Sequence, residues 1–231
     1  MERLHAQKEL DEALSSIALG MPGRNEAVKD RPFSAEAVTE TSTVSEVGQR
    51  TNHKNMTKID RDREGRARRE QTVEAIASSL PITPHKIIFI FDPVKARSFV
   101  VDPKEQVTRE FLVSSHGTQF GDNEAQDGGS QKRASVTVES LGQKRIGNLL
   151  CTGTRKSSLP SAQGKASKAV GQITTETWSS VDLGVIVDSW TRDPQFGSVH
   201  YFLRGVSRKD PSPELFVPPM NYKFEQIRNA N

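Results

Sequence analysis

The sequence predicts a mainly β protein: an antiparallel sandwich or jelly-roll-like domain preceded by a largely disordered, partly helical N-terminal arm. Three observations predict it. The run Ile87-Ile88-Phe89-Ile90-Phe91 is β-branched and aromatic throughout, as in a strand buried on both faces. Asp-Pro recurs at Asp92, Asp102, Asp193 and Asp210, each time after a strand-like run, where proline cannot continue a ladder and aspartate initiates a turn. Of the fourteen aromatic residues only Phe33 precedes Phe89, so the first eighty or so residues have little with which to build a core. The remaining ~150 could bury roughly 70% of their unfolded surface and stand alone. These observations divide the chain into an arm over residues 1–82 and a β-rich domain over residues 83–231.

In the arm, Leu10, Leu14 and Ile17 recur at helical spacing with Leu4 upstream, which predicts an amphipathic helix over residues 4–19 that ends by Pro22. Residues 23–55 are rich in Thr, Ser, Glu and Val without a sustained period and read as a disordered linker. Helix propensity returns over residues 58–80 and stops at Pro81, with an apolar face confined to its second half. Beyond the arm, Ile87–Phe91, Phe99–Val101 and Val107–Val113 predict a three-stranded meander. Aromatics then vanish between Phe120 and Trp178. Residues 121–172 read as a Gly/Ser-rich excursion with short β-like pieces at Ser135–Glu139 and Ile146–Cys151. Strand patterning resumes at Gln172–Trp178, Leu183–Trp190 and Val199–Val206, the last two joined by a turn-rich segment suited to a hairpin.

The net charge of +3 hides two basic blocks. Residues 130–170 hold eight basic residues, Lys132, Arg133, Lys144, Arg145, Arg155, Lys156, Lys165 and Lys168, against Glu139 alone. Residues 50–70 hold eight basic and four acidic groups. Guanidinium forks grip phosphates bidentately and neutralisation releases counterions, so the candidate nucleic-acid-binding residues are Lys132, Arg133, Lys144, Arg145, Arg155 and Lys156, with Arg61, Arg63 and Arg69 from the second block. The Asp62–Arg66 and Glu64–Arg68 spacings are also those of an ordinary solvated helix face.

Other chemistry finds less support. Neither a phosphate-binding glycine loop nor a histidine pair at metal spacing is present, so no cofactor and no metal are expected. A single cysteine, Cys151, excludes an intramolecular disulfide. No apolar run approaches the ~20 residues of a membrane span, and MERLHAQKEL lacks a signal-peptide core, so an intracellular, cytoplasmic or virion location is expected. The segments Phe99-Val100-Val101-Asp102 and Leu112-Val113-Ser114-Ser115-His116-Gly117 loosely resemble the opening of murein L,D-transpeptidase domains. That resemblance implies a cysteine nucleophile with a separate histidine base. Here the cysteine lies in Leu149-Leu150-Cys151-Thr152-Gly153 rather than in a Ser-x-Gly-Cys context.

A basic arm, a β domain of about 150 residues and a second basic segment resemble the plan of small viral capsid, matrix or movement proteins. The expected function is therefore that of a non-enzymatic, self-assembling structural protein. It would bind nucleic acid, RNA in the first place, without sequence preference. The alternatives are a cysteine enzyme of the transpeptidase type and an adaptor whose basic loop binds an acidic protein.

Overall fold

The computed structural model describes residues 27–44, 48–73, 85–112, 136–158, 171–194 and 197–227. They form twelve strands: β1 (Phe33–Val44), β2 (Arg50–Arg61), β3 (Ala67–Val73), β4 (His85–Asp92), β5 (Arg97–Asp102), β6 (Val107–Leu112), β7 (Val136–Ile146), β8 (Leu149–Ser158), β9 (Ile173–Ser180), β10 (Ile186–Asp193), β11 (Gly197–Ser207) and β12 (Lys223–Ile227). One short 3-10 helix, η1 (Pro213–Phe216), precedes the last strand. All twelve strands belong to one sheet in the order β12-β6-β5-β4-β3-β2-β1-β11-β10-β9-β8-β7. Every neighbouring pair is antiparallel except β12 against β6, which is parallel. The sheet is open, with β12 at one edge and β7 at the other.

The expected mainly β character is present, but the sandwich or jelly roll is not: one broad sheet takes its place. Two meanders, β1–β6 and β7–β11, meet where β1 pairs β11 from Ser34↔Ser207 to Thr43↔Gly197. The segment read as a disordered linker holds β1 and half of β2, two central strands. Its strand signal is the alternation Phe33, Ala35, Ala37 against Ser34 and Glu36, in which small alanines carry the apolar phase. Of the helix expected over residues 58–80, residues 58–73 instead form the end of β2, a tight turn and β3, because pairing on both sides overrides helix propensity, and residues 74–80 lie outside the described residues. Asp62 makes that turn. Its carboxylate accepts from the Arg66 amide at 2.8 Å and from Arg66 Nε at 2.6 Å, so the i,i+4 pair marks a loop rather than a helix face. With β1–β3 inside the sheet, the division of the chain at residues 82/83 does not follow a structural boundary. The helix expected over residues 4–19 lies outside the described residues.

The Asp-Pro punctuation is realised in detail. Asp92 Oδ1 accepts from the amides of Val94 and Lys95, and Asp102 Oδ1 from those of Lys104 and Glu105, all at 3.0 Å. Both turns end on a residue at φ 51°, Ala96 and Gln106, which aligns each next strand antiparallel. Within the supposed excursion, residues 136–158 form the β7–β8 edge hairpin, closed by Gly147-Asn148 with Gly147 at φ 58°, as a type II′ turn requires.

Direct cross-strand partners share a face, so the registers sort the side chains of the central sheet. Phe33, Ala35 and Ala37 stand on one face with Arg61, Ile59 and Thr57 of β2, Ala67 and Arg69 of β3, Phe89 of β4 and Val100 of β5. We call it the Phe33 face. The other, the Glu36 face, carries Glu36, Glu40, Lys54, Asp60, Arg68, Glu70 and Lys86 on the same strands.

Candidate functional site

The Glu36 face is built for water. Arg204 pairs with Glu36 at 2.7 Å, Lys54 with Glu40 at 2.8 Å, Arg68 with Glu70 at 2.7 Å and Lys86 with Glu70 at 2.9 Å, and Arg97 pairs with Glu110 further along. Alternating signs on adjacent strands make such a surface soluble while adding little stability per exposed pair. Where this face turns apolar, at Ile90, Phe99 and Val101, η1 lays the buried ring of Phe216 across it, and Arg66 stacks 5.3 Å from that ring.

The Phe33 face has the opposite chemistry. Phe33, Ala35, Ala37, Ile59, Phe89 and Val100 are all buried, and Leu203 of β11 continues the row. No Asp or Glu stands on this face of β1, β2, β3 or β11. Its charged groups on those strands are the arginines Arg61 and Arg69. Among the described residues η1 is the sole element outside the sheet, and it lies on the Glu36 face.

Two relationships show the Phe33 face to be concave. The 181–185 turn between β9 and β10 comes over Arg61 of β2, three strands away, where Arg61 Nη2 donates to the Leu183 carbonyl at 2.6 Å. Arg69 of β3 and Tyr201 of β11 interact electrostatically although β2 and β1 stand between them. Burial pushes the Tyr201 phenol up to about 12 and the Arg69 guanidinium down from its ordinary value. Arg69 Nε donates to Gln71 at 3.1 Å.

Arg61 is the least ordinary residue of the site. It is 2% exposed, its Nε and Nη2 both donate to the Arg31 carbonyl, at 3.0 and 2.8 Å, and its guanidinium lies 4.9 Å from the centre of the Phe33 ring. Nη1 is buried with no hydrogen-bond partner. Burial first, then the neighbouring Arg31, pushes this guanidinium down to about 10, so it remains cationic at neutral pH.

The residues expected to bind nucleic acid do not assemble. Arg61 is buried and Arg69 half-buried on the Phe33 face, whereas Arg63 sits in the β2–β3 turn beside Asp210 at 3.6 Å. Arg155 is taken by Glu176 at 2.9 Å and Glu139 at 3.0 Å. Lys144 lies over the Trp178 ring at 3.9 Å, while Arg145, its neighbour on β7, points to the opposite face. Lys156 is exposed on the face opposite Arg155, and Lys132 and Arg133 lie outside the described residues. Strand pairing brought acids to the basic block from positions that sequence spacing could not reveal, Glu176 above all.

The enzymatic alternative finds no activated cysteine, and His116 lies outside the described residues. Cys151 is fully buried, burial pushes its thiol up, and Sγ lies 3.8 Å from the Leu149 carbonyl rather than against a base. Among the described residues no group of three or more His, Cys, Asp or Glu side chains could hold a metal ion, and no helix is long and apolar enough to cross a membrane. The sequence missed the Phe33 face because its apolar phase in β1 is written in alanine and its β2 phase ends in an arginine.

No family model and no curated protein matches the chain. Among solved structures it is similar to an uncharacterized conserved protein from Thermus thermophilus, at 8% identity over 88% of this chain and 93% of the other, with a TM-score of 0.46. It is also similar to the lipoprotein LppX of Mycobacterium tuberculosis, at 14% identity over 87% and 96% of the two chains, TM-score 0.34. A third is a LolA superfamily protein from Nitrosomonas europaea, at 7% identity over 84% and 93%, TM-score 0.31. The scattering of the basic residues, with Arg61 buried, Arg155 taken by Glu176 and Glu139 and Lys144 set over Trp178, corrects the expectation of a self-assembling, nucleic-acid-associated structural protein.

Proposed function

We propose that the protein binds an acyl-chain ligand on the Phe33 face of its sheet. The observation that supports this reading is the asymmetry of a single sheet: ion pairs on one face, and on the other the buried apolar residues Leu203, Ala37, Ile59, Phe89 and Val100, with Arg69 standing between Ile59 and Phe89. These side chains are buried, several of them in one cluster with Leu183, Val187 and Trp178, and a hydrocarbon chain laid along them would gain about 25 cal/mol per Å² of its own area removed from water. An extended hydrocarbon chain makes no directional polar demand. It can lie across several strands, and the concave bend beneath the 181–185 turn gives it a wall.

Titration of the full chain with cis-parinaric acid, read by fluorescence, tests the reading. Saturable uptake is expected, with loss in Ala37→Glu, which places an unpaired charge between Leu203 and Thr57 on the apolar face. Retention is expected in Lys58→Gln on the Glu36 face. Absence of saturable uptake, or equal loss in both variants, would overturn it.

A further inference from the structure

We propose that Arg61 anchors the anionic head of an amphiphile whose chain lies along the Phe33 face, with Nη1 donating to a carboxylate or phosphate oxygen; this rests on the acyl-chain reading above. The geometry is that of an incomplete site. Three of the donor directions of Arg61 are spent on neutral carbonyls, two on Arg31 and one on Leu183, and Nη1 has none. A buried cation held only by neutral acceptors carries an unrecovered desolvation cost, and a buried N–H without a partner adds to it. Native interiors leave few such groups, and each calls for its own explanation.

The surroundings favour an anion. No carboxylate stands on this face of the four strands around Arg61, whereas the acids of β1, β2 and β3 project from the other face and are held there by Lys54, Arg68, Lys86 and Arg204. Arg69 projects from the neighbouring pair, opposite Ile59, so the potential over this part of the face is positive. Phe33 lies under the guanidinium and Ala35 and Ile59 beside it, which places the cation at the border of the apolar row, where a head group would meet its own chain. Charge-assisted hydrogen bonds of this kind distinguish an acid from its neutral ester.

The test is calorimetric titration of the full chain with oleate, methyl oleate, oleoyl lysophosphatidate and inorganic phosphate. Both acidic amphiphiles are expected to bind about tenfold or more tighter than the ester, as a charged hydrogen bond contributes, and phosphate alone not measurably. Arg61→Met is expected to remove the preference and leave ester binding in place. Equal binding of oleate and its ester would overturn the anchor while leaving the acyl-chain reading intact, whereas failure of all three amphiphiles would overturn that reading itself. Phosphate binding as tightly as the lysophosphatidate would mark a free-anion site instead. Because methionine at 61 strands two carbonyls and could unfold the chain, arginine side-chain NMR of the wild type gives a second readout. Oleate should shift one buried guanidinium signal and methyl oleate should not; no shift with oleate would overturn the proposal.

Discussion

Arg61 and Leu183 stand 122 residues apart in the chain, and Arg61 Nη2 donates to the Leu183 carbonyl at 2.6 Å. The bond ties the β1–β6 meander to the β7–β11 meander on the same side as the apolar row. It sits beside a core of Phe33, Ala35, Ile59, Leu203, Leu183 and Trp178 to which both meanders contribute.

The two meanders should accordingly unfold as one unit. β1–β3 lie between β4 and β11, so a fragment beginning at Thr83 would expose β4 and β11 as bare edges and lose Phe33, Ile59 and Ala67 from the apolar face. Such a fragment is expected to show no dispersed amide spectrum, and the full chain a single denaturant transition by circular dichroism and tryptophan fluorescence alike. A folded, soluble fragment would show the division to be real.

Asp92→Ala and Asp102→Ala each remove an oxygen that accepts two turn amides. Each should lower stability by about 1–2 kcal/mol, read as a fall in the urea midpoint at constant slope. Ala96→Gly and Gln106→Gly, at φ 51°, should act in the opposite sense, since glycine carries no penalty in the left-handed region.

Gly153 faces Trp178 across β8 and β9 so closely that a Cβ would come within 2.5 Å of the indole. Gly153→Ala should cost about 1–3 kcal/mol by overpacking and shift the emission of Trp178, 8% exposed in the wild type, as the ring moves. An unchanged midpoint and spectrum would mean that the ring has room to retreat.

The Glu70 carboxyl is held down at about 2, chiefly by its hydrogen bond from Lys86 and then by Arg68, against an ordinary value of 4.5. A depressed folded-state pKa contributes stability that is complete above the unfolded value and is lost as pH falls through the folded one, so this contribution fades between pH 4.5 and about 2. Glu70→Gln should be less stable at pH 7 and show a flatter decline over that window in urea midpoints taken at successive pH values. Parallel pH profiles for the two proteins would contradict the assignment.

Cys151, fully buried, should react with Ellman's reagent only at the rate of unfolding, and at once in denaturant. Rapid modification of the native chain would mean that the cluster around Leu149 and Trp178 opens.

What the sequence determined by itself was local. Ile87–Phe91 and its following strands, the turns at Asp92 and Asp102 and the 183–206 hairpin were legible because β-branching, aromatic content and Asx turns act within a few residues. Tertiary structure decided the rest. Ala35 and Ala37 are weak strand signals and Asp62 to Arg66 has helical spacing, yet β1 and β3 become strands because partners on both sides supply the ladder. Charge was misread for the same reason: Arg155 looked free along the chain until β9 delivered Glu176, and Arg61 looked available to a phosphate until Phe33, Arg31 and Leu183 closed around it. Burial and neutralisation belong to the pairing of distant strands, and a linear sequence carries that pairing only through the fold it adopts.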